Sequence, residues 1–265
     1  MRRFPVFLLA FLPLGAHAIV GSRSTRDPGA ADSQYSWVGQ MSGASAVAVG
    51  PRTVLTASHV GAGNFVLNGV AYAMASTAVA PRIKGSNVDL RVVELASDLP
   101  GWYQLGTAAP TNATVTMVGY GSTGVLNAAG NGYILKKGGT RRADENQVTK
   151  HTTYKGEGPI ITSLLNGPGE AVLAGGDSGG GWFINGKLVG ISAFTFTNNA
   201  RKAAYGWGKS AYFGSGAIDL TNKAVASWVS NQIVTGRSMP QAVPEPSAYA
   251  TLVVGFAALL RKRRR

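Results

Sequence analysis

The sequence predicts an all-β fold closed by one helix, and three observations carry that expectation. Glycine supplies 36 of the 265 residues while charged residues make up only 14%, a balance poor in the Glu and Lys that helices recruit. Short β-branched runs alternate with glycine and polar turns, as in 45–56 and 112–120, which is the pattern of strands and their connections. Helical spacing emerges late, over 221–233, where Ala224, Trp228, Val229 and Ile233 fall on one side, and Gly236 then suits a helix stop. The length allows one large β unit or two small domains. With no cysteine, disulfides and thiolate metal sites are excluded, so the core alone must hold the fold.

Along the chain, Met1-Arg2-Arg3, the apolar run 4–14 and Ala16-His17-Ala18 form the charged, apolar and small-residue regions of a secretory signal peptide over 1–18. Cleavage after Ala18 leaves Ile19-Val20-Gly21 as the new N-terminus. Residues 19–236 read as one domain without internal repeat. The glycine-rich stretch from Val118 to about Gly139 reads as a long exposed loop, and it lacks the lysine and hydroxyl spacing of a phosphate loop. Tyr205, Trp207 and Tyr212 are expected in the core or on a pocket wall.

After a linker at 237–243, the end of the chain carries Pro244-Glu245-Pro246, an apolar run 248–260 and the basic end Arg261-Lys262-Arg263-Arg264-Arg265. As a helix that run reaches about 20 Å, against roughly 30 Å of hydrocarbon. It is short for a permanent span and suits a processed sorting signal. The tail 244–265 resembles the PEP-CTERM sorting tail of Gram-negative bacteria. That resemblance implies export, an exosortase-type processing enzyme, transient inner-membrane association, and delivery to the cell surface or extracellular matrix.

The net charge of +13 invites a nucleic-acid or polyanion reading. Much of it sits in the two terminal segments, however, and no aromatics interleave with the body's Lys136-Lys137 and Arg141-Arg142 as a stacking surface needs. Nucleic acid is therefore not an expected partner.

Gly176-Asp177-Ser178-Gly179-Gly180 is the stretch that suggests chemistry. Glycines let a backbone turn sharply and leave amide N–H groups bare, so a serine among them can be a nucleophile beside an oxyanion site. A serine hydroxyl needs a base. His17 leaves with the signal peptide, His151 lies in a polar stretch that a surface loop explains, and His59 ends the apolar run Thr53-Val54-Leu55-Thr56-Ala57-Ser58.

Thr56-Ala57-Ser58-His59, Gly176–Gly180 with its continuation Gly186-Lys187-Leu188-Val189-Gly190-Ile191, and the mature start Ile19-Val20-Gly21 resemble, in order, motifs of the trypsin/chymotrypsin-like serine proteases. The resemblance implies two six-stranded antiparallel β-barrels with the active site between them and a C-terminal helix. It implies a serine-type endopeptidase acting on protein or peptide substrates through a Ser-His-Asp triad and an acyl-enzyme, with no cofactor and no metal, as a monomer. The acid would come from Asp89, Glu94, Asp98, Asp144, Glu145, Glu157 or Glu170. Asp89 is favoured because Leu90-Arg91-Val92-Val93-Glu94-Leu95 follows it as an apolar strand, whereas Asp98 sits in a turn-like setting.

By the same resemblance, Ser178 attacks, His59 carries the proton, Asp89 orients the ring, and the N–H groups of Gly176 and Ser178 form the oxyanion hole. The new amine of Ile19 would pair with Asp177, so that signal-peptide removal activates the enzyme. Ungapped counting from Ser178 places Val172, Ala193, Phe194 and Thr195 in the substrate pocket. Val172 carries no charge and Thr195 narrows the entrance, so cleavage after small or medium apolar residues is expected. Ala193 stands where a serine often supports the triad aspartate. The competing reading is a surface-displayed binding or matrix protein that has lost activity on the same fold.

Overall fold

The structure is a computed structural model and describes residues 19–21, 33–126, 133–165, 170–197 and 213–233. The expected signal peptide, linker and sorting tail, together with His17, Tyr205, Trp207, Tyr212 and Gly236, lie outside these residues.

Two antiparallel seven-stranded sheets dominate. The first runs, in spatial order, Val70–Tyr72, Phe65–Leu67, Val38–Met41, Ala44–Ala48, Thr53–Ala57, Leu90–Leu95 and Met74–Val79. Its two outermost strands are consecutive in the chain and separated by Ala73 alone, so one bent segment joins both edges and closes the sheet on itself. The second runs Arg142–Gln147, Thr114–Gly119, Gly181–Ile184, Lys187–Thr197, Phe213–Asp219, Gly158–Leu164 and Lys150–Tyr154. Here the bend falls at Val148-Thr149, between the outermost strands Arg142–Gln147 and Lys150–Tyr154. Counted with each bent pair as a single strand, both sheets are the six-stranded barrels expected from the sequence. Closure removes the free edges that would otherwise invite pairing with another chain.

The apolar pattern follows from this arrangement. Ala46, Ala48, Val54, Val93 and Leu95 fill the first barrel, and Val115, Met117, Ile161, Trp182 and Val189 the second. Their neighbours Val47, Leu55, Val92, Val118 and Ile160 face a third cluster, built from both sheets. Successive side chains of a strand point to opposite faces, and here both faces are covered. Thr53–Ala57 is accordingly buried at every position and reads as a continuous apolar run rather than an alternating one.

The closing helix spans Lys223–Gln232, with the Asn222 side chain accepting the N–H groups of Ala224 and Val225 as a cap. Val225 and Val229 are its buried residues, with Trp228 and Ile233 packed against the shared cluster. Ala224, expected on the apolar face, is exposed, and Val225, one turn before Val229, takes the buried first-turn position instead. The described residues of the glycine-rich stretch, expected to be a loop, also include paired strands. Thr123–Leu126 and Tyr133–Lys136 pair as an antiparallel ladder. Glycine content had masked the strand pattern in Thr123-Gly124-Val125-Leu126.

Candidate active site

The active-site residues converge where the two barrels meet. Strand Thr53–Ala57 runs into a single 3-10 turn, Ser58–Val60, that carries His59. The strand beginning at Leu90 pairs with it so that Ala57 lies opposite Leu90, which brings Asp89 and His59 to the same end of the ladder. The Ser58 N–H donates to the Asp89 carbonyl at 3.2 Å. Asp89 Oδ1 accepts the His59 backbone N–H at 2.9 Å, and Oδ2 lies 2.6 Å from Nδ1 of the ring. A carboxylate only accepts, so Nδ1 donates and the neutral ring presents its Nε2 lone pair outward. Nε2 is 2.8 Å from Ser178 Oγ. The Asp89 hydrogen bond raises the His59 pKa above the ordinary histidine value, partial burial opposes this, and the charges of Asp89 and Glu157 add to the rise.

Ser178 is delivered by the tight turn expected of its glycines. Asp177 N–H donates to Ala174 O, Gly180 N–H to Asp177 O and Gly179 N–H to Ser192 O. Gly176 has φ +94°, and a Cβ there would lie 2.9 Å from Gly121 Cα. At Gly179, with φ +82°, a Cβ would strike the Ser45 carbonyl and Thr56 Oγ1. Only glycine fits either position. Among the described residues the N–H groups of Gly176 and Ser178 donate to nothing, as an oxyanion site requires.

Sequence reasoning missed the residue that locks this turn. Ser45 Oγ donates to Gly176 O at 2.9 Å and accepts the Tyr120 N–H at 2.9 Å. Its N–H donates to Ser178 O at 2.9 Å, and its carbonyl accepts Thr56 Oγ1. One buried serine of the first barrel thus holds the nucleophile turn of the second. Nothing in Ala44-Ser45-Ala46 signals it, because its partners lie far along the chain.

Asp177 is fully buried. Its two oxygens accept the N–H groups of Gly121 and Ala174, each at 2.8 Å. Burial pushes its pKa up to about 7, against the opposing pull of those amides and of Arg142. Ile19, 1% exposed, belongs to the core of the second barrel, and Val20 pairs with Val172.

A pocket of about 400 Å³ opens beside Ser178, lined by Ser122, Leu173, Ala174, Gly175, Ala193, Phe194 and Thr195. Ala193 sits at a register shift in its strand, a bulge of the kind that re-aims a side chain at a site. Val172, expected in this pocket, is not on its wall. It is buried in the pairing with Val20, and the wall is formed instead by the next residues, Leu173 and Ala174.

The other histidine and acids lie elsewhere. His151 is on strand Lys150–Tyr154, held by Asp219 and the Ala109 carbonyl. Asp98 pairs with Arg52, and Glu94 accepts Ser76 Oγ. Asp144 and Glu145 are on strand Arg142–Gln147 and Glu170 precedes strand Ala171–Val172. Glu157 is the exception, standing next to Asp89. Among the described residues no group of His, Cys, Asp and Glu is arranged to hold a metal.

Comparison with known proteins agrees with this geometry. No curated protein matches the sequence. Among solved structures, neuropsin, a serine protease expressed in the limbic system of mouse brain, superposes with a TM-score of 0.57 at 17% identity. The match covers 81% of this chain and 99% of that one, and at such identity it speaks to the fold alone. A model of the trypsin family matches residues 22–212, most of the chain, and with that match the protein belongs to the trypsin family.

Proposed function

We propose that the protein is an exported serine endopeptidase that cleaves after small or medium apolar residues. The observation that carries this is the unbroken relay from Asp89 Oδ2 through the His59 ring to Ser178 Oγ, at 2.6 and 2.8 Å, beside two amides with no acceptor among the described residues. Ser178 Oγ attacks the scissile carbonyl while His59 Nε2 takes its proton, and the same nitrogen returns that proton to the leaving amine. Asp89 keeps the ring in the tautomer this needs and stabilises the imidazolium. The Gly176 and Ser178 N–H groups receive the developing oxyanion, a contact worth roughly 3 kcal/mol per donor in comparable sites. Water then releases the acyl group by the same route.

The uncharged lining of the pocket, with Leu173, Ala174 and Ala193 on its walls, supports the apolar preference. The burial of both Ile19 and Asp177 supports the activation pair. A carboxyl with a pKa near 7 is only partly ionised at neutral pH, and an amine created at Ile19 would hold it ionised. The signal-peptide and PEP-CTERM readings of the two ends support delivery to the cell surface or matrix of a Gram-negative bacterium.

The test is labelling of the processed protein with a fluorophosphonate probe, compared with Ser178→Ala. Ser178-dependent labelling is expected. Its absence would favour the inactive binding protein on the same fold. A peptide library run on the labelled enzyme should show small or medium apolar residues before the cut, and a strict Arg or Lys preference would contradict the pocket assignment.

A further inference from the structure

We infer that a lysine-bearing groove beside the active site binds an acidic side chain of the substrate, upstream of the residue held in the pocket next to Ser178. The inference rests on the endopeptidase reading above for the identity of the occupant, while the groove itself rests on geometry.

The groove, of about 350 Å³, is lined by four threonines with Lys150, Lys155, Tyr154, Leu164 and Phe196. Strand pairing builds it. Lys150 is opposite Thr162, Thr162 opposite Gly216 and Gly216 opposite Phe194, and in the next row Leu164 is opposite Gly214 and Gly214 opposite Phe196. Residues directly opposite one another share a face, so these side chains stand on one surface. Ile160, two residues before Thr162, belongs to the cluster built from both sheets, so the groove continues the inter-barrel face of the second barrel outwards. The two glycines leave that surface hollow. A Cβ at Gly216 would overlap the Phe194 ring and one at Gly214 the Phe196 ring, so both rings lie across the neighbouring strand instead of standing up from it.

Phe194 joins the groove to the site. It lines the pocket beside Ser178, and its ring lies 5.7 Å from that of Tyr154 and 6.1 Å from that of Phe196 between centroids. Tyr154 and Phe196 are both groove residues. An extended peptide advances about 3.3 Å per residue, so about two residues cover the step from Phe194 to Phe196. A substrate whose side chain fills the pocket therefore reaches the groove with roughly the third to fifth residue before the cut.

Charge selects what enters. No acid is among the lining residues. Lys150 and Lys155 are exposed, and neither is paired with an acid among the described residues. Glu157, in the turn of the same hairpin, is not on the wall, and its carbonyl is tied to the Asp89 N–H instead. Two ammonium groups and the threonine hydroxyls can hold a carboxylate, while Leu164, Tyr154 and Phe196 cover the methylenes that carry it. The neighbouring pocket has no charged side chain on its wall. The two sites together select an apolar residue at the cut and an acidic one further upstream.

The test uses the processed protein and fluorogenic peptides that share one small apolar residue before the cut and carry Glu, Gln or Lys at each of the third to fifth upstream positions. Exposed ion pairs are individually weak, so the best Glu peptide should be cleaved about fivefold faster in kcat/KM than its Gln counterpart, chiefly through KM. The difference should fade in about 0.5 M salt. Lys150→Ala/Lys155→Ala should lose the preference yet cleave the Gln peptide, and label with fluorophosphonate, at wild-type rates. Lys150→Glu/Lys155→Glu should turn the preference towards Lys. The inference is overturned if Glu and Gln peptides are cleaved alike, if the preference survives in Lys150→Ala/Lys155→Ala, or if the two lysines bind dextran sulfate but discriminate none of the peptides. Fluorescence anisotropy of the Glu peptide on Ser178→Ala keeps the groove testable apart from the chemistry. Lysine-dependent binding there, in a protein whose wild type shows no Ser178-dependent labelling, supports the groove and overturns the hydrolase reading alone, whereas binding that ignores both lysines overturns the groove.

Discussion

If Asp177 pairs with a new amine at Ile19, as proposed, one side chain ties folding to processing. Its carboxyl is completely buried with a pKa of about 7, against about 3.9 for an unfolded aspartate. The folded state therefore binds the proton more tightly than the unfolded one. The stability this confers is fully present below about pH 4 and is lost as the pH climbs towards 7. That holds while Ile19 is joined to Ala18 and has no charged amine. In a chain retaining residues 1–18, melting temperatures should show Asp177→Asn gaining on the wild type between pH 4 and pH 7. In protein shown by mass spectrometry to begin at Ile19, the gain should disappear or reverse, because the amine favours the carboxylate. A difference that stays constant with pH in both forms would remove the pairing. The sequence could point to Asp177 only through the motif around it. Its burial depends on Gly119 and Gly121, where any Cβ would collide with its carboxylate, and that proximity is set by the fold.

At the scale of elements, His151, for which the polar sequence suggests a surface loop, instead pins a strand. Its Nδ1 lies 2.9 Å from Asp219 Oδ2 and its Nε2 2.7 Å from the Ala109 carbonyl. Both partners are acceptors, so only the imidazolium satisfies both. Partial burial works against that charge, but the Ala109 carbonyl and the Asp219 carboxylate outweigh it and raise the pKa. The stabilisation is fully present below the unfolded histidine value, about 6.5, and fades as the pH rises through the folded value. His151→Ala should therefore lower the melting temperature more at pH 5 than at pH 8, as differential scanning calorimetry can check. An equal loss at both would show that the ring acts only by packing. The polar sequence around His151 hid this role because strand Lys150–Tyr154 is largely exposed. Strand Thr53–Ala57 and the capped helix were legible because both carry a strong local pattern. The ladder at Thr123–Leu126 was not, because its glycine reads as a turn.

At the scale of the whole molecule, the relay is assembled from both barrels, with His59 and Asp89 from the first and Ser178 from the second. The local motifs were legible as short stretches, since glycines and a histidine after an apolar strand leave a mark in the sequence. The ties that align the barrels were not. Ser45 reaches the nucleophile turn across 131 residues of sequence, and Glu157 reaches Asp89 from another barrel, contacts that no local pattern announces. The pocket wall shifted from Val172 to Leu173 and Ala174 for the same reason, because the pairing with Val20 decides which side chain faces inward. On the proposed reading, these long-range ties present an activated Ser178. Fluorophosphonate labelling of processed protein beside Ser178→Ala and His59→Ala tests it most directly. The account predicts labelling that disappears with Ser178→Ala and falls by orders of magnitude with His59→Ala, whereas labelling equal in all three proteins, or absent from all, would contradict it.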